Sequence, residues 1–319
     1  MNSNRSTVGE KRIERMKIKA NILELGLYPL LYKKHNGIEK ITDIRYSLRG
    51  KRTCLDLVRE KNAGSRKQPL LIYIHGGGWV SGRRKARLFY CERWAENGFT
   101  CANIGYDYAN DAKHPEHIRQ IFSGIEYVLD NAERYGIDSE KIVVAGESAG
   151  GYFAALVGAI ASHRELYDLL GISFRYRDTF RVSACVPMSG IFDPVRAIET
   201  NFPDIDLFAG AFCGMTLDEL RSEKGQKMRS VLAPSAYTDE KFPPSFIIGS
   251  DKDLLRPESE MLHQELDYAG VRNELVICTG LNGVHAGSLA CHLGSGKTAF
   301  EKEKKFVDEV LYKTELKIV

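Results

Sequence analysis

Residues 141–151 read Lys141-Ile142-Val143-Val144-Ala145-Gly146-Glu147-Ser148-Ala149-Gly150-Gly151. The apolar run Ile142 to Ala145 has the length and composition of a buried strand. It is followed at once by Gly-x-Ser-x-Gly and then by a small-residue helical pattern from Tyr152 to Ala161. Strand, tight turn and helix in that order would lift the Ser148 hydroxyl above the end of a sheet. Glycine is required on either side, because a side chain at 146 or 150 would collide with neighbouring backbone. The following helix would aim its N-terminal N–H groups and positive dipole end at any anion formed beside Ser148.

Working outward, a second apolar run, Pro69 to Ile74, ends in His75-Gly76-Gly77-Gly78-Trp79. Three consecutive glycines after a strand let the main chain pass close to a reacting carbonyl and present amide hydrogens to it. The pair His-Gly-Gly-Gly and Gly-Glu-Ser-Ala-Gly resembles the α/β-hydrolase esterases of the hormone-sensitive-lipase-like and acetyl/feruloyl esterase group. The resemblance covers roughly residues 40–312.

It implies a serine nucleophile at Ser148, with oxyanion donors at the N–H groups of Gly76, Gly77 and Ala149. A serine hydroxyl is almost un-ionised at neutral pH, so it needs a general base and an acid to orient that base. In this fold both follow the nucleophile, acid first. The acid belongs to the stretch after Ser245-Phe-Ile-Ile-Gly-Ser, where Asp251 and Asp253 compete. Asp253, ahead of Leu254-Leu255-Arg256-Pro257, matches the family pattern better, which leaves Asp251 as a turn-former. Of eight histidines, His285 and His292 fall in the loop after the next strand. His285, in Asn282-Gly283-Val284-His285-Ala286-Gly287, is the expected base and His292 a partly exposed packing residue. His75 is expected to hold the glycine loop by hydrogen bonds.

Two departures from the family pattern stand out. Glu147 occupies a position where many relatives have Asp or Thr, and is expected to hydrogen-bond nearby backbone or assist the acid region. Asp107, in Gly105-Tyr106-Asp107-Tyr108-Ala109, replaces an arginine that is usually structural.

The remaining chain fits this frame. Ile41–Tyr46 and Thr53–Val58 alternate as an antiparallel hairpin at a sheet edge. Strands at 70–74, 99–104, 141–145, 182–187, 245–249 and 274–278 then alternate with helices over about 85–97, 115–134 and 257–269. A last amphipathic helix carries Phe306, Val307, Val310 and Leu311. Gly270 suits the C-terminal cap of the 257–269 helix. The pattern gives an α/β class protein with a mostly parallel eight-stranded sheet covered on both faces.

Residues 190–241 break the rhythm with Phe192, Phe202, Phe208 and Phe212 among charges and prolines. They are expected to form a cap that shapes an acyl pocket lined by Trp79, Phe192, Phe208 and Phe212. Residues 1–40 form an N-terminal segment in which Ile13, Met16, Ala20, Leu23, Leu27 and Leu30 make one helical stripe, bent or ended near Pro29. The stripe is expected to pack on the 41–319 domain as part of the cap, in preference to a homodimer seam or a membrane-surface contact.

Composition bounds the rest. The 319 residues are 43% hydrophobic and 27% charged with a formal net charge of +3, ordinary for a globular protein and without the bias of a nucleic-acid surface. No apolar run reaches membrane-spanning length. No signal peptide is apparent, and Cys54, Cys91, Cys101, Cys185, Cys213, Cys278 and Cys291 are scattered without metal or disulfide spacing, which suits a cytoplasmic protein. The expected activity is hydrolysis of small-molecule carboxylic esters of short to medium acyl chain through an acyl-enzyme, with no metal or organic cofactor. The alternatives are an amide-cleaving relative, such as an arylformamidase or peptidase, and a non-catalytic ligand-binding homologue.

Overall fold

The computed structural model describes residues 35–61 and 66–312, with Lys11 and Glu14 besides. The helix expected over 10–32 and the role given to residues 1–40 otherwise lie outside the described residues.

Eight strands form one sheet: β1 (Ile38–Arg45), β2 (Cys54–Glu60), β3 (Gln68–Ile74), β4 (Thr100–Ile104), β5 (Ile137–Glu147), β6 (Ala184–Met188), β7 (Ser245–Ser250) and β8 (Asn273–Cys278). Their spatial order is β1-β2-β4-β3-β5-β6-β7-β8. β1 pairs with β2, and β2 with β4, antiparallel; every other neighbour is parallel.

Alternation along the central strands explains the layers. Leu70, Ile72 and Ile74 of β3 and Ile142 and Val144 of β5 join one buried cluster, while Leu71, Tyr73, Val143 and Ala145 join another. The first is covered by α2 (Glu116–Asp130), α3 (Ala149–Ser162) and α5 (Arg256–Tyr268), the second by α1 (Leu88–Ala95) and α6 (Gly294–Tyr312). Two covered faces are why these strands read as continuous apolar runs.

Several boundaries differ from the sequence expectation. β5 begins four residues early, because Ile137 and Asp138 pair with Gln68 and Pro69 before the register shifts to Leu70 opposite Ile142. The intervening Ser139, Glu140 and Lys141 bulge outward, and their polarity masks the strand in the sequence. The 85–97 helix is a 3-10 turn at Arg84–Arg87 followed by α1. The insertion after β6 contains α4 (Ile205–Cys213) and two shorter helices, Leu217–Arg221 and Gln226–Leu232. The expected cap at Gly270 has the left-handed φ of +71°. Asp107 is buried and accepts the N–H groups of Lys51 and Arg52 at 2.8 and 2.7 Å, a structural use of the site.

Candidate active site

β5 delivers Ser148 to the top of the sheet in a strained conformation, φ 55° and ψ −120°. A non-glycine residue there costs on the order of 1–3 kcal/mol and persists only where its surroundings dictate it. Here they do. The Ser148 N–H is held by the Met188 carbonyl at 2.8 Å, and α3 starts with the next residue. A Cβ on Gly150 would lie 2.0 Å from the Ile74 carbonyl oxygen, and one on Gly146 would lie 2.4 Å from the carbonyl oxygen of Gly150. Both glycines are therefore fixed by backbone crowding.

The loop after β8 brings His285 back over this turn, with Nε2 3.0 Å from the Ser148 Oγ. Its Nδ1 lies 2.9 Å from Oδ2 of Asp253, in the turn after β7. Asp253 is 6% exposed, and its other carboxylate oxygen accepts the Leu255 N–H at 3.0 Å. Burial pushes the Asp253 carboxyl up. The hydrogen bond and charge of His285, the Leu255 N–H and the Ser189 hydroxyl outweigh burial and hold it below the usual carboxylate range. An ionised acceptor beside Nδ1 places the ring proton there and leaves Nε2 to accept from Ser148. Ser148, His285 and Asp253 are thus one continuous line of hydrogen bonds. Asp251 is exposed, its carboxylate lying against the α-carbon of Gly283, and His292 is half-buried outside this line.

The glycine loop departs from expectation in one respect. The N–H of Gly76 donates to Oε1 of Glu147 at 2.8 Å, so it is committed inside the protein and is not a donor to a bound oxyanion. Among the described residues the N–H groups of Gly77 and Ala149 have no hydrogen-bond acceptor. Glu147 is buried and also accepts from the Tyr73 hydroxyl and from Arg87 Nε, the latter at 2.5 Å. It therefore bonds backbone, as the sequence suggested, but does not reach the acid region. Burial pushes the His75 imidazole down to about 4, so it is neutral. Its Nδ1–H donates to the Gly76 carbonyl at 2.8 Å, and its ring stacks on Tyr106 with centroids 4.6 Å apart.

The aromatic lining also needs correction. Trp79, Phe192 and Phe212 are fully buried, with Trp79 stacked on Phe212 at 4.6 Å. They support the site from within the core and expose no surface to a ligand. Phe208, on α4, lies against the α-carbon of Gly78 and keeps 9% of its surface exposed. The sequence reading missed Phe202 as a site residue. Its ring packs against His285, centroids 5.0 Å apart, and it is half-buried. Its place in a phenylalanine-bearing insertion was the only signal available. A groove of about 590 Å³ between Arg66, Phe99, Lys141 and Tyr312 contains none of these residues. Among the described residues no three His, Cys, Asp or Glu side chains group as metal ligands.

Comparison with known proteins places the chain among esterase relatives. The family model described as BD-FAE matches residues 55–266. Esterase LipQ of Mycobacterium tuberculosis is 28% identical over 244 residues, covering 76% of this chain and 55% of that protein. An acetyl esterase of Salmonella schwarzengrund is 27% identical over 208 residues, covering 62% of this chain and 59% of its own. The chain spans about half the length of such curated relatives. Among solved structures, esterase B of Lactobacillus rhamnosis superposes with a TM-score of 0.85 at 20% identity, over 97% of both chains. A bacterial heroin esterase superposes with a TM-score of 0.72 at 22% identity, over 92% of this chain and 90% of its own. At these identities the structural matches establish the shared α/β-hydrolase fold.

Proposed function

The chain belongs to the BD-FAE family, and from that premise we propose that it is a serine carboxylesterase acting on esters of short to medium acyl chain. The observation that carries the proposal is the unbroken line from Ser148 Oγ through His285 to Asp253, at 3.0 and 2.9 Å.

The chemistry follows from that line. Ser148 Oγ attacks the ester carbonyl carbon while His285 Nε2 takes the hydroxyl proton. Asp253 stabilises the resulting imidazolium and fixes its orientation without itself taking the proton. The carbonyl oxygen, now anionic, is received by the N–H groups of Gly77 and Ala149 and by the positive end of α3. Collapse breaks the carbon–oxygen bond to the alcohol, which leaves with the proton from Nε2. Water then gives its proton to Nε2 and attacks the acyl-Ser148 carbonyl. The acid is released and Ser148 recovers its proton.

Phe202 and Phe208 come from the insertion after β6 and pack against His285 and Gly78 respectively. Apolar walls at both places support a cap role for the insertion and a preference for compact acyl groups.

Two measurements test the reading. A fluorophosphonate should label Ser148 covalently. Nitrophenyl esters from acetate to dodecanoate, run beside formyl-amide and peptide substrates, should show ester turnover dominating. An unlabelled Ser148 would leave the chain as a binding homologue, and faster turnover of the amides would reassign it to an amide hydrolase.

A further inference from the structure

Gly76 sits between two peptide planes, and each has a partner on the protein side. Its N–H is taken by Glu147 Oε1 at 2.8 Å and its carbonyl by the Nδ1–H of His75, also at 2.8 Å. In a trans peptide the carbonyl and the following N–H point in opposite directions. Holding the Gly76 carbonyl therefore fixes the direction of the Gly77 N–H. The Gly77 carbonyl is in turn saturated by the N–H of Val80 and by the N–H and hydroxyl of Ser81, at 3.2, 3.0 and 2.8 Å.

Glu147 is the one side chain in this arrangement that comes from the strand carrying the nucleophile. The contact is close on every side. A Cβ on Gly76 would lie 2.4 Å from the Glu147 carbonyl oxygen, 3.1 Å from its Oε1 and 3.0 Å from the Ser148 Cβ. Arg87 Nε at 2.5 Å and the Tyr73 hydroxyl aim the carboxylate at Gly76. Arg87 stands in the 3-10 turn that follows the glycine loop, so both ends of residues 76–87 are tied to one buried carboxylate.

We propose that Glu147 is the positioning residue of the oxyanion loop: by holding the Gly76 N–H and the Arg87 guanidinium it sets the distance between the Gly77 N–H and the Ser148 hydroxyl. The inference rests on the esterase reading above. Glu147 touches neither ester nor imidazole, so its effect falls on the stage at which charge builds on the carbonyl oxygen. The turnover number should depend on it, and ground-state affinity should not.

The test uses the full chain and four readouts: kcat, KM, the inhibition constant of an aryl trifluoromethyl ketone, which forms an anionic adduct on a serine, and fluorophosphonate labelling. Glu147→Ala should lower kcat about 10²–10³-fold, the scale of losing one oxyanion donor, and the ketone should weaken in parallel. KM should stay within about threefold, and Glu147→Gln, which still accepts from Gly76, should recover kcat to within about tenfold of the parent. Truncation removes the Glu147 carboxylate from beside the Arg87 guanidinium, so Glu147→Ala/Arg87→Met, lacking both charges, keeps the test open if the single variant does not fold. It should show the same loss of kcat at unchanged KM. A folded variant with kcat within threefold of the parent, or with KM raised and ketone affinity unchanged, overturns the inference alone. A parent whose Ser148 is not labelled overturns the esterase reading and this inference with it.

Discussion

Replacing Asp253 by Asn tests the site most directly, because the structure dictates how the new amide must sit. One carboxylate oxygen accepts the Leu255 N–H at 3.0 Å and the other accepts His285 Nδ1–H at 2.9 Å. The Asp253 carboxylate is buried, so an amide NH₂ turned toward the Leu255 N–H would leave two donors facing each other, an arrangement costing about 1–3 kcal/mol. The amide oxygen therefore stays on Leu255 and the NH₂ turns to His285. The imidazole must then accept at Nδ1 and carry its proton on Nε2, the nitrogen 3.0 Å from Ser148 Oγ. A protonated Nε2 cannot take the hydroxyl proton. The corresponding change in a serine protease lowers turnover by about 10⁴, which corresponds to roughly 5.4 kcal/mol of barrier. The variant is isosteric, so circular dichroism and melting should match the parent while nitrophenyl acetate turnover falls at least roughly a thousandfold. Nitrogen NMR of the imidazole should report the switched tautomer. Asp251→Asn, at an exposed turn, should stay within about tenfold. If Asp253→Asn kept turnover within tenfold, or Asp251→Asn were the crippled variant, the acid assignment would be wrong.

Three further outcomes can be measured alongside. Ser148→Ala should fold normally and lose ester turnover by on the order of 10⁶; His285→Ala should lose at least roughly a thousandfold where His292→Ala stays within tenfold. Acetate to hexanoate esters should be preferred over dodecanoate, since each methylene is worth about 1–3 kcal/mol in a closed apolar pocket; a long-chain optimum with activation at interfaces would refute the cap assigned to 190–241. Glu303 on α6 is buried and accepts from the Tyr90 hydroxyl, and burial raises its carboxyl from 4.5 to about 8. The folded chain thus holds a proton that the unfolded chain releases above the lower value, so Glu303 should erode stability as pH rises from about 4.5 to 8. Glu303→Gln should flatten that slope in urea titrations across this range; an unchanged slope would show that the carboxyl is ionised in the folded state.

The central strands were legible because Leu70–Ile74 of β3 and Ile142–Ala145 of β5 are buried on both faces and leave apolar runs ending in glycine-rich turns. The elbow was legible because Gly146 and Gly150 answer to steric demands written two residues either side of Ser148. Local spacing stopped being informative where the contact is made across the fold. The Gly76 N–H finds its acceptor 71 residues away, so the motif alone could not say which of the loop's amides stay free. Trp79 read as a pocket residue because it ends the glycine motif, and Phe212 because it lies in the phenylalanine-bearing insertion. Both lie in the core, stacked on each other.

The insertion after β6 illustrates how such distant pairings assemble the site. Glu258, 1% exposed in the first turn of α5, accepts the N–H groups of Phe192 and Asp193 at 2.8 and 2.9 Å and Arg196 Nε at 2.8 Å. Arg196 also reaches Glu265, two turns further along the same face of that helix, at 3.1 Å. α5 begins three residues after Asp253, and its entry is shaped by the Asp253 carboxylate on the Leu255 N–H. The helix that directly follows the acid therefore also anchors the start of the segment whose Phe202 packs on the base. A buried carboxylate with three or four donors is costly to disturb, about 3–5 kcal/mol when one charged partner is removed. Arg196 and Glu258 are 62 positions apart, and each looks like a solvated charge in the sequence. Their pairing makes the wall beside His285 part of the scaffold at its root.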